Sequence, residues 1–80
     1  LVIREQNIID ISPLEGLTKL GSLTLDSFLI DDISPLKNLT SLTLLNLSGN
    51  RISDINPIKS LPDLTILYLY KNRISDIQVL

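Results

Sequence analysis

Asp31 and Asp32 stand side by side, and paired carboxylates are the residue type that a hard divalent cation uses. Asp32, however, is one of a column spaced by 22 residues: Asp10, Asp32, Asp54 and Asp76. A carboxylate repeated beside turn formers serves backbone amides, as aspartate does in turns and caps. Asp31 fills the place that serine holds at 53 and 75, and reads as a solvated charge. No metal site is expected. Asn38-Leu39-Thr40 and Asn46-Leu47-Ser48 fit the glycosylation acceptor pattern. Both arise almost automatically once leucine is a repeated anchor. Serines and carboxylates supply possible nucleophiles and bases, but the chain has no histidine and no cysteine. Nothing is placed to activate a serine, and each serine is accounted for as a cap, turn or strand residue. The reading is a protein that is not an enzyme and takes no cofactor.

Composition narrows the partners. Eighty residues make one small domain, of a size that hides only about 60% of its unfolded surface. Seven basic and nine acidic residues give a net charge of −2, with no run of lysine or arginine. Nucleic acid is therefore not expected as a partner. Without cysteine there is no disulfide framework and no thiolate metal site. No apolar run approaches the roughly 18 residues of a membrane span, and no signal-peptide pattern is visible, so no membrane insertion is expected.

The residues that remain are ordered by a period. The hexapeptide at Asn50–Ile55 returns unchanged at Asn72–Ile77. Leu17, Leu39 and Leu61 share a column; so do Leu20, Leu42 and Leu64. Leu1, Leu23, Leu45 and Leu67 form another, and Ile3, Leu25, Leu47 and Leu69 the next. Self-similarity at this period marks a solenoid. The alternation at 44–48 and 66–70 predicts short strands with one buried face. Turn formers follow at 48–50 and 70–72. Ser-Pro-Leu at 12–14 and 34–36, and Asn-Pro-Ile at 56–58, then predict a single helical or 3₁₀ turn. Its expected N-cap is the serine or asparagine, with proline first in the helix; Glu15 adds a capping-box pattern to Ser12.

Leu39, Leu42, Leu45, Leu47, Asn50, Ile52, Asp54, Ile55 and Pro57 together resemble the leucine-rich repeat. The 22-residue unit and its Ser-Pro-Leu ending look like the bacterial internalin type, close to that of nuclear phosphatase-regulatory subunits. The resemblance covers the whole chain: a partial repeat at 1–16, full repeats at 17–38 and 39–60, and a nearly complete one at 61–80. It implies an α/β fold, a right-handed superhelix of strands and 3₁₀ or α turns with a parallel sheet on its concave face. It also implies that Asn50 and Asn72 bond neighbouring backbone as a ladder. Gln6 and Phe28 hold the equivalent places in earlier coils, and Phe28 is expected to fill core space instead.

Function must then lie in the variable positions of the concave sheet. Strands about 4.8 Å apart align them in rows. One row is Ser22, Leu44 and Ile66; a second is Val2, Thr24, Asn46 and Tyr68; a third is Arg4, Asp26, Ser48 and Tyr70. Tyr68, Tyr70, Ile66 and Leu44 are expected to be exposed neighbours, an anchor for another protein. Asn46, Asp26, Thr24 and Arg4 complete the candidate surface. Two readings stand: a recognition module, internalin-like, secreted or on a bacterial cell surface, or a spacer or cytoplasmic scaffold. At the ends, Leu1, Ile3 and Ile8 and then Leu61, Leu64, Leu67 and Leu69 are expected to lack cover. Further repeats, capping domains or neighbouring molecules are expected to supply it.

Overall fold

A computed structural model of the chain describes residues 1–4, 8–26 and 29–74. Four strands form one sheet in the order of the chain: β1 (Val2–Ile3), β2 (Ser22–Leu25), β3 (Leu44–Asn46) and β4 (Ile66–Tyr68). All neighbours are parallel. Their register repeats the sequence period: Thr24 lies opposite Val2 and Asn46, Leu45 lies opposite Leu23 and Leu67, and Asn46 lies opposite Tyr68. A one-residue slip would turn the leucines outward, so the buried face fixes that register.

Between strands the chain crosses the opposite side in 3₁₀ turns at Ser12–Leu14, Ser34–Leu36 and Asn56–Ile58. Among the described residues these are the helical elements, and none is an α-helix. Their start differs from the sequence reading. Ile11, Ile33 and Ile55 hold the N-cap position and make no side-chain cap bond, while Ser12, Ser34 and Asn56 are already the first turn residue. The cap comes from the aspartate column. Asp10, Asp32 and Asp54 accept the backbone N–H of Ser12, Ser34 and Asn56, each at 2.9 Å. An aspartate two residues ahead of an amide reaches it in an Asx turn. Glu15 closes no capping box; it lies after the turn, where its own N–H bonds the Ser12 carbonyl.

The core is one cluster threaded through all coils. Leu23, Leu39, Leu42, Leu45 and Leu47 are fully buried, joined by Ile30, Ile33, Leu36, Ile52 and Ile58. End coils depart from the columns. Leu1 and Leu17 are exposed although their partners at 23, 45 and 39 are buried, and Leu67 is half-buried. Each lies in a coil covered by a described neighbour on one side only. Leu61 departs the other way: it is 6% exposed, enclosed rather than open. Gln6 and Phe28 lie outside the described residues.

Candidate functional site

The site is built from alternation. In β4 the inward Leu67 is flanked by Ile66 and Tyr68, which point to the open face at 43% and 44% exposure. Two residues after Tyr68, Tyr70 stands on the same side at 63%. The two rings meet edge to face, with centroids 6.4 Å apart at 72°, a geometry that aromatic quadrupoles favour. Leu44 departs from the expected exposure. It pairs with Ser22 on one side and Ile66 on the other, and is half-buried. The exposed large side chains of this face are thus Ile66, Tyr68 and Tyr70, with half-buried Leu44 beside them.

Beyond the apolar group the face turns polar. Arg4, Thr24, Asp26, Asn46 and Tyr70 line one shallow depression of about 260 Å³, with Ser48, Gly49 and Lys71. Arg4 is exposed, while Thr24, Asp26 and Asn46 are half-buried. Asn46 holds its own strand end in shape, its side-chain oxygen accepting the Ser48 N–H at 3.1 Å. The Ser48 hydroxyl oxygen is buried without a hydrogen-bond partner.

Asn50 and Asn72 support this face from beneath. The Asn50 carboxamide donates to the carbonyls of Leu25 and Leu47, both at 2.9 Å, and accepts the Ile30 N–H at 3.3 Å. Asn72 repeats the pattern one coil later, on Leu47, Leu69 and the N–H of Ile52. Each asparagine therefore ties its own strand end to that of the coil before it. A second tie escaped the sequence reading. The hydroxyls of Thr43 and Thr65 donate to the carbonyls of Gly21 and Thr43, both at 3.1 Å, at the opposite end of the strands. The signal was present, because Thr43 and Thr65 stand 22 residues apart.

Lys71 was also missed. It lines the depression, and its φ of 61° matches the 79° of Gly49 one coil earlier. The turn demands a left-handed residue, glycine in one coil and a strained lysine in the next.

The described residues hold no group of carboxylates that could bind a metal ion, and no helix among them is long and apolar enough to cross a membrane. A face of tyrosines, an aliphatic and mixed polar side chains, mounted on a repeated sheet, can hold another molecule by contact. Residues 40–80, just over half of the chain, match the family model described as leucine rich repeats (2 copies). The chain belongs to the leucine-rich repeat family. Its repeats are of the internalin-like bacterial kind. An internalin (InlF) from Listeria monocytogenes is similar at 47% identity over 90% of this chain, with a TM-score of 0.85. An internalin C2 (InlC2) from the same organism is similar at 40% identity over 99% of this chain, also at 0.85. This chain spans 21% and 36% of those two proteins. No curated protein matches it significantly.

Proposed function

We propose that the chain is a non-catalytic recognition module that binds a partner protein on its concave sheet, in a secreted or cell-surface bacterial protein. A leucine-rich repeat array is a protein-interaction module, and the observation that carries the finer reading is the tyrosine pair. Tyr68 and Tyr70, the only tyrosines of the sequence, stand in edge contact on the open face beside exposed Ile66. Packing did not require them there, since the described core is aliphatic. Large, stiff aromatics with a polar tip are the side chains that dominate interface energetics. The lack of histidine and cysteine supports the non-catalytic part of the reading, and the likeness to Listeria internalins supports the compartment.

A photo-crosslinking residue introduced at Tyr68 should yield a discrete protein adduct in the native setting, competed by the unlabelled chain. The same residue at Lys37, exposed after the second 3₁₀ turn, should not. Equal adducts from both positions would favour a spacer that touches its surroundings without a preferred face.

A further inference from the structure

The turn side of the coils carries both signs of charge, with Lys37 and Lys59 closing the second and third 3₁₀ turns. Asp10, Asp32 and Asp54 sit at the starts of the 3₁₀ turns, engaged with backbone amides, and Asp31 lies beside them. Just past the strands, on the rim of the concave face, stand Arg4, Arg51, Lys71 and Arg73. Among the described residues Asp26 is the one carboxylate on that rim.

Arg51 and Arg73 occupy the same place in consecutive coils. Their backbone amides donate to Ile30 and Ile52, at 2.8 and 2.9 Å, each on the coil before. Both side chains are exposed, as is that of Lys71. Together with Gly49, these three cations line a shallow groove of about 280 Å³ with no carboxylate among its described lining residues. Asn50 and Asn72 complete its walls, but their carboxamides are committed to backbone. Like charges stacked on adjacent coils repel, and no described residue neutralises these two guanidinium groups. Lys71 belongs both to this groove and to the depression beneath Tyr70, so the cationic rim runs into the tyrosine face.

We propose that this rim selects a protein partner whose docking segment carries carboxylates next to an apolar side chain. The proposal rests on the concave-face reading above. The apolar side chain lies on Ile66 and Tyr68, and the carboxylates reach Arg51, Lys71 and Arg73. A guanidinium presents paired donors that match both oxygens of a carboxylate, which gives direction as well as charge. A short acidic segment fits better than a nucleic acid. Three clustered cations on a chain of net charge −2 offer few phosphate contacts.

The test is an amide-resolved NMR titration of the whole chain with a short peptide alternating glutamate and leucine, its lysine–leucine counterpart, and a single-stranded oligonucleotide. The glutamate peptide should shift the amides of Gly49–Arg51, Lys71–Arg73 and Ile66–Tyr68, and bind more weakly as salt rises. The lysine peptide should leave the rim amides in place. The double variant R51E/R73E should weaken glutamate-peptide binding by about tenfold, and R51Q/R73Q should weaken it less. Equal shifts with both peptides, or no loss in R51E/R73E, would overturn the assignment. Tighter binding of the oligonucleotide than of the glutamate peptide would overturn it too. In the Y68A/Y70A variant, rim shifts unchanged from the parent would uphold the charge assignment while removing the concave-face reading.

Discussion

Asn50 shows how one side chain holds two coils at once. It is 6% exposed, and its carboxamide satisfies two carbonyls and one amide that water cannot reach. Asn50→Ala leaves those groups unpaired, and each buried orphan costs about 1–3 kcal/mol, so a loss of about 3 kcal/mol or more is expected. Asn72→Ala breaks the equivalent bonds at a half-buried site, where water replaces part of what is lost. Denaturant unfolding of both variants should show Asn50→Ala as clearly the more damaging. Equal losses would mean that burial does not set the strength of the ladder. Both asparagines were legible because they repeat at the same interval as the leucines. Lys71 was not, because the backbone angle that it shares with Gly49 leaves no common residue type in the sequence. Leu44 was legible as a concave residue but not as a half-buried one, since burial there depends on neighbours in register on both sides.

The turn is the element whose chemistry the sequence half revealed. The aspartate column pointed to backbone amides, yet the cap was assigned to Ser12, Ser34 and Asn56, because a serine–proline pair is a familiar helix start. In the 3₁₀ turn the N–H groups of Leu14 and Leu36 already bond the carbonyls of Ile11 and Ile33, and the open amides of Ser12 and Ser34 go to the carboxylate two residues ahead. Two of these carboxylates register the contact. The backbone N–H of Ser12, and secondarily its hydroxyl, hold Asp10 below its ordinary carboxyl pKa. Ser34 does the same to Asp32, through its N–H first and its hydroxyl second. A pKa lowered by folding means that the unfolded chain takes up protons first. The stabilisation is therefore complete above the unfolded carboxyl value, about 3.9, and is lost as pH falls through the lower folded values. Thermal melts should be insensitive to these groups from neutrality down to about pH 5 and should decline below about pH 4. In the D10N/D32N variant the side-chain oxygens still accept the amides but no longer titrate, so the acid decline should be shallower. An identical decline in parent and variant would assign the acid sensitivity to other carboxylates.

At the scale of the whole molecule, the period did most of the work. Leucines spaced to bury one face, repeated every 22 residues, admit a parallel sheet with strands in chain order, and the observed pairing follows that interval throughout. What the period could not carry is the difference between coils. Leu17 is open and Leu39 is closed although both occupy one column, because burial is set by the coils on either side and not by the letter. The same reasoning separates the proposed recognition surface from the scaffold beneath it. Core positions repeat because every coil meets the same surroundings, whereas Tyr68 and Tyr70 stand where the coil before carries Asn46 and Ser48. Under the proposed function, the outward tyrosines serve binding and contribute little to folding. The direct test is to measure partner affinity and unfolding free energy side by side in the parent and in the Y68A/Y70A variant, with the crosslinked partner. Loss of two aromatic anchors should raise Kd by about thirtyfold, equivalent to about 2 kcal/mol. The unfolding free energy should change by less than about 1 kcal/mol, because both side chains are largely outside the core. An unchanged Kd with the fold intact would contradict the account and leave the chain a structural spacer.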